Sequence, residues 1–274
     1  MDSRTFLGLR RTHNQFRWHF QVTPGLMTSG QFLFGGCGLG AAISALEGTS
    51  GRPCVWATAQ YLSYARGGEV IDIDVTVAEE GHRITQARAV AHVGNREILT
   101  VNAALGVRPS SEGGQWECMP PDLPAPADCP PRPTRMRDGT VSERVDVRIA
   151  QGRLASQLDG TPSDGRTIAW ARIPEVIEDV DAAALAVLGD YVPIGVSQAL
   201  GRVGTGNSLD NTLRVARLVP TEWVVLDIRV HGVDHGFGHG LVHMFAEDGT
   251  LLATASQSCI VRPWPAETEG ARLP

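Results

Sequence analysis

FLFGGCGLGAAISALEG, residues 32–48, decides how the rest of the chain is read. It reads as a helix rich in glycine and alanine, and the segments after it read as strands. Val55 to Tyr64 is rich in β-formers, and Val70 to Val77 alternates, with Ile71, Ile73, Val75 and Val77 on one face and Asp72, Asp74 and Thr76 on the other. Residues 83–93 and 97–106, joined by the turn signal Gly94-Asn95, predict a further hairpin. Residues 109–133, PSSEGGQWECMPPDLPAPADCPPRP, then hold eight of the 17 prolines. Proline lacks the N–H that a helix interior or central strand needs, so this stretch is expected to be an extended connector of polyproline character. Beyond it the order recurs. Strands at 144–150 and 167–173 lead to a helix from about Ala182 to Leu200 with a break near Pro193, then strands at 208–216, 223–232, 237–246 and 250–262.

The recurrence has a period that can be checked. LSYAR (62–66) stands against LRVAR (213–217) at an offset of 151, Asp72-Ile73 against Asp227-Ile228 at 155, and Ile98-Leu99 against Leu251-Leu252 at 153. A duplicated unit with insertions and deletions in its turns gives such offsets; chance similarity of two antiparallel sheets is the alternative. One helix followed by a run of antiparallel strands, twice over, points to an α+β architecture rather than alternating βαβ units. The expected form is two antiparallel sheets, each wrapped around a central helix whose small side chains let the curved sheet close. The expected organisation is a first unit at 1–108, a proline-rich linker at 109–137, a second unit at 138–265 and a tail at 266–274.

Composition sets outer bounds. The 274 residues include 24 basic side chains, all arginine, and 30 acidic ones, a formal charge of −6, which argues against a sequence-independent nucleic-acid binder. With 42% hydrophobic and 20% charged residues the chain can bury a sizeable core, which excludes a disordered or fibrous protein. Cys37, Cys54, Cys118, Cys129 and Cys259 are widely spaced with no CxxC, so they read as reduced thiols of a cytoplasmic protein rather than a disulfide framework or zinc site. The N-terminus carries four arginines among scattered apolar residues, unlike a signal peptide. No apolar run approaches the length of a membrane span, and a soluble protein is expected.

Several stretches carry candidate chemistry. Gly36-Cys37-Gly38-Leu39-Gly40-Ala41 superficially resembles a dinucleotide fingerprint, but the apolar run before it is short and no acid ends the next strand, Val55 to Tyr64. Glycines at a helix start can still present backbone N–H groups to an oxyanion. His231, His235, His239 and His243 recur every four residues, yet Gly232, Gly236, Gly238 and Gly240 argue against a helical metal stripe. A hairpin of mostly solvated histidines reads better than a metal site, and no metal or cofactor is expected. Gln257 shares the apolar face of its strand with Leu251, Ala253, Ala255, Cys259 and Val261, where its amide needs a partner. That partner is structural or catalytic. At the offsets above, Gln257, Asp210 and His231 stand against Ala104, Ala59 and Thr76 of the first half, an asymmetry that suits one active site per duplicated pair.

FLFGGCGLGAA, the strand WVVLDIRVHG, the element Asp190 to Pro193 and DGTLLATASQSCIVR together resemble the acyl-CoA thioesterase II (TesB-like) family of double-hotdog enzymes. The resemblance covers about residues 20–263. It implies hydrolysis of an acyl-CoA without a covalent intermediate, by a water held by an aspartate, a serine or threonine, and a glutamine of the second hotdog. Carried over by position, these fall on Asp210, His231 and Gln257, so the hydroxyl position holds an imidazole that can itself accept a proton. Backbone N–H groups near Gly35 and Gly36 are the implied oxyanion donors. The partners are then an acyl-CoA and, through exposed sheet edges, further copies of the chain in a homo-oligomer. Two other readings stay open: a hotdog hydratase or dehydratase, which would consume or form an enoyl chromophore instead of releasing thiol, and a non-catalytic acyl-thioester binder.

Overall fold

The computed structural model describes residues 2–110, 112–133, 139–176 and 180–263, so the expected tail at 266–274 lies outside the described residues. From the N-terminus come α1 (Ser3–Phe6), β1 (Arg10–Arg11), β2 (Arg17–Gln21), α2 (Gly35–Ser50), β3 (Cys54–Tyr61), β4 (Val70–Glu80), β5 (Ile84–Val93) and β6 (Arg96–Gly106). After the proline-rich stretch come α3 (Val141–Arg144), β7 (Asp146–Gln151), β8 (Arg166–Arg172), α4 (Ala182–Leu188), α5 (Val192–Leu200), β9 (Gly204–Val215), β10 (Val224–Asp234), β11 (Phe237–Ala246) and β12 (Leu251–Pro263). The sequence reading missed β1 and β2, although Trp18 and Phe20, both buried, already alternate with Arg17, His19 and Gln21. Five residues are too short a run to stand out among the surrounding arginines.

The expected pair of separate sheets is one sheet of twelve antiparallel strands, ordered β1-β2-β4-β5-β6-β3-β9-β12-β11-β10-β8-β7. The seam is β3 against β9, with Trp56 to Gln60 paired to Arg214 to Asp210. Left apart, those strands would each expose a row of unpaired N–H and C=O groups; pairing satisfies both rows at once. Outward from the seam the order is the same on both sides. The displacement is 154 residues: Thr58 lies across the seam from Thr212, 154 residues on, with their Oγ1 atoms 3.0 Å apart. β4 and β10 are offset by that same number at both ends, and the offsets of 151 to 155 read in sequence are local drift around it.

The helices lie on one face of this sheet, α2 against β3 to β6 and α5 against β8 to β12, while α2 also packs on α4. The glycines of α2 serve that helix–helix contact more than sheet curvature. A Cβ on Gly36 would stand 2.8 Å from the Ala186 carbonyl oxygen and 2.9 Å from Val187 Cα, and one on Gly40 would stand 2.8 Å from the Ala183 oxygen. Ala182–Leu200 is, by length and composition, apolar enough to cross a membrane, contrary to the sequence reading; 72% of that stretch is buried inside the fold. Its break is at Gly189 to Tyr191, just before Pro193 in the first turn of α5. A proline ring clashes with the carbonyl four residues back, here Gly189, so the helix must restart.

Instead of running as a plain extended connector, the proline-rich stretch turns at Pro126–Asp128 and is packed. It covers the opposite face of the second half, where Cys129, Ile168, Trp170, Trp223, Val225 and Phe245 form a second core joined by Met119 and Leu123. Trp170 Nε1 donates to the Pro124 carbonyl at 2.9 Å, and Pro131 bridges to Arg148 on β7, covering that sheet edge. β8 is therefore buried on both faces, which is why its sequence RTIAWAR does not alternate. All five cysteines are free thiols.

Candidate active site

Four elements converge where α2 begins. The restart at Pro193 leaves Asp190 outside helical hydrogen bonding, aimed at the N-terminus of α2, whose first N–H groups have no intrahelical acceptor. Gly36 N–H donates to Asp190 Oδ2 at 2.6 Å. Gly35 gives the carboxylate room, since a Cβ there would lie 2.7 Å from Oδ2. From the sheet, Gln257 on β12 donates through Nε2 to Asp190 Oδ1 and, at 2.5 Å, to Ser208 Oγ. Ser208 on β9 in turn donates to Asp190 Oδ1 at 3.1 Å. The β9–β12 register slips between Ser258 and Cys259, so Leu209 is bulged and Ser208 is turned onto the inner face beside Gln257.

The site is buried and polar. Asp190 is 4% exposed and Gln257 3% exposed. Burial pushes the Asp190 carboxyl up to about 6, against the opposing effect of its hydrogen bonds from Gln257, Gly36 and Ser208. Not every polar atom is used. Gln257 Oε1 is buried with no partner among the described residues, as are both amide atoms of Asn211, which faces Gln257 across the β9–β12 pair. Buried unpaired polar atoms are costly, so several together leave a hydrogen-bonding demand that a polar guest such as water would meet.

Of the residues singled out in the sequence, the structure brings Gln257 and Gly36 together and leaves two others apart. Asp210 lies one step along β9 from Asn211, so its side chain leaves on the opposite face from Gln257, and its Oδ1 accepts from Ser258 N–H at 2.8 Å. His231 is exposed at a bulge between Val230 and Gly232, with β11 between it and Gln257, and makes no side-chain hydrogen bond among the described residues. Gly35 and Gly36 sit at the helix start as expected, but the Gly36 N–H is taken by Asp190. His235 occupies the β10–β11 turn with φ 49°, followed by Gly236 at 79°. Among the described residues no three His, Cys, Asp or Glu side chains are grouped to hold a metal.

Sequence reasoning did not single out Asp190 and Ser208, which the structure joins to Gln257. The duplication held the signal: at the true displacement of 154, Asp190 stands where the first half has Gly36, its own hydrogen-bond partner. The same displacement sets Ser208 against Cys54 and Gln257 against Ala103. The asymmetry between halves is therefore real, with Asp, Ser and Gln in the second and Gly, Cys and Ala in the first.

A family model described as the acyl-CoA thioesterase C-terminal domain matches residues 126–261. Among solved structures, a candidate thioesterase from Novosphingobium aromaticivorans is 33% identical, with a TM-score of 0.82, over 92% of this chain and 98% of that one. A protein of unknown function with a hotdog fold from Alicyclobacillus acidocaldarius is 21% identical, with a TM-score of 0.83, over 96% and 98%. The acyl-CoA thioesterase II TesB2 from Mycobacterium marinum is 21% identical, with a TM-score of 0.73, over 96% and 99%. No curated protein matches the chain.

Proposed function

Because the chain belongs to the acyl-CoA thioesterase II family of hotdog-fold thioester hydrolases, we propose that it splits an acyl-CoA with a water activated by Asp190 and oriented by Gln257 and Ser208. What supports this reading is one observation: a carboxylate buried at a helix start and hydrogen-bonded by a carboxamide, a hydroxyl and a backbone N–H. With its pKa near 6, Asp190 is ionised at neutral pH and still basic enough to take a proton from water. Gln257 Oε1, the acceptor left over, receives the water's second hydrogen. The water oxygen bonds to the thioester carbon and the carbonyl electrons move onto oxygen. They return as the C–S bond breaks, and the proton on Asp190 passes to the departing thiolate. The products are a carboxylic acid and coenzyme A.

A direct water attack fits the nucleophiles at hand. Burial pushes the Cys37 thiol far up and Cys259 to about 11, so neither is ionised. Ser208 Oγ already accepts from Gln257 and donates to Asp190. Asp210 and His231, the positions reached by carrying the family pattern along the sequence, stand outside this set. The five free thiols support a reducing, cytoplasmic setting. The test is release of free thiol from acyl-CoAs of graded length by the purified protein, with Asp190→Asn as the comparison. Thiol release by wild type that survives in Asp190→Asn would remove Asp190 from the chemistry. An acyl adduct trapped on Ser208 would replace the water route with a covalent one.

A further inference from the structure

Tyr61 is the last residue of β3, one step beyond the end of the β3–β9 seam, which closes at Gln60 paired with Asp210. By alternation it shares the inner face with Ala57 and Ala59, and Ala59 faces Asn211, which faces Gln257. Its ring stands beside the start of α2. A Cβ on Gly35 would lie 3.1 Å from Tyr61 Cζ and 3.2 Å from its Oη, as well as 2.7 Å from Asp190 Oδ2. The glycine thus lets the phenol and the carboxylate flank the same point. Yet no hydrogen bond joins them: Tyr61 Oη is buried with no partner among the described residues. Burial, reinforced by the charges of Asp190 and Asp210, holds the phenol well above the ordinary tyrosine value, so it stays a donor at neutral pH.

We infer that Tyr61 is a further catalytic residue of this site, its phenol O–H donating to the thioester carbonyl oxygen as negative charge develops there. The inference rests on the thioesterase reading above. Three observations favour it over an idle tyrosine. The Oη is unpaired while Asn211 and Gln257, both more than nine-tenths buried, also keep unpaired atoms, so a polar guest is expected in this space. Gly36 N–H, one of the two expected oxyanion donors, is committed to Asp190, which leaves a place for a further donor to the carbonyl. Finally, Tyr61 comes from the first half and Asp190 from the second, which gives each half a role in a site that neither could build alone. The donated hydrogen bond strengthens with the charge on oxygen and transfers no proton. It therefore acts on the transition state more than on substrate binding.

The test is Tyr61→Phe, assayed for thiol release beside wild type and Asp190→Asn, with thermal unfolding of each. The expected result is a kcat about a hundredfold lower with KM little changed, an unchanged or higher Tm, and an acidic limb still near pH 6 because Asp190 is intact. A Tyr61→Phe enzyme with wild-type kcat overturns this inference alone and leaves the thioesterase reading standing. A loss of activity that tracks a lower Tm would also overturn it, by making the tyrosine structural. A wild type that releases no thiol overturns both readings together.

Discussion

Asp190 sits between two opposing forces, burial that favours the neutral acid and three hydrogen-bond donors that favour the carboxylate. The balance, near 6, gives two predictions. Activity should rise as pH increases through about 6, since only the carboxylate can take the water's proton, and Asp190→Asn should lower kcat by about a thousandfold. Because the folded chain holds this proton more tightly than the unfolded chain, whose carboxyl titrates near 3.8, the group's contribution to stability is full below that value. It is lost as pH rises through about 6. The limb alone does not separate Asp190 from His231. The variants do. His231→Thr should keep both the rate and the limb, because His231 lies exposed on another strand. A flattened limb in that variant would return the histidine to the mechanism. Gln257 was legible in the sequence because an amide on an apolar face is conspicuous. Asp190 was not, since its place opposite Gly36 shows only at the displacement of 154, which the pairing across the seam fixes.

At the scale of elements, the decisive contact is α2 against α4. Gly36→Ala places a methyl against backbone atoms of Ala186 and Val187, which cannot rotate away as a side chain would. The two helices must separate, and a cost of about 1 to 3 kcal/mol is expected in denaturant unfolding. Activity should fall with it, because the same shift withdraws the Gly36 N–H from Asp190. Gly113→Ala, where an added Cβ meets nothing within 4 Å, is the matched control and should be neutral. Equal stability of the two variants would show that α2 and α4 do not need the glycines to pack. The glycine run was visible in the sequence as a helix with room for something close by. Whether that room admits a nucleotide, a curved sheet or another helix depends on what lies opposite, and only the packing answers that.

For the whole molecule, the seam between β3 and β9 makes one sheet of two halves. A protease cut among the exposed residues Glu112 to Trp116 should therefore leave the halves together, co-eluting at the size of the intact chain under native conditions. Two separate peaks would mean that the seam is too weak to hold without the covalent link. The packed remainder of the proline-rich stretch adds to this cohesion. Arg229, which with Arg166 clasps the fully buried Asp227, also reaches Glu117 at 2.9 Å. Homo-oligomer formation, expected from open sheet edges, loses part of its ground because Pro131 covers the β7 edge. Light scattering of the purified protein decides it, with a mass of 29.3 kDa for the single chain.

The duplication, the antiparallel strands, the glycine-rich helix and Gln257 follow from the sequence alone. Period, alternation and an amide among apolar residues are local patterns that a chain displays before it folds. Three things were decided only by tertiary structure: the joining of the two sheets, the packing of the linker, and the gathering of Asp190 and Ser208 around Gln257 while Asp210 and His231 lie apart from it. Each depends on which face a residue takes and what meets it there. A single bulge at Leu209 sends Ser208 inward, and a helix break before Pro193 aims Asp190 at Gly36. Because side chains alternate along a strand, one residue of displacement separates a group in the site from one on the far face of the sheet.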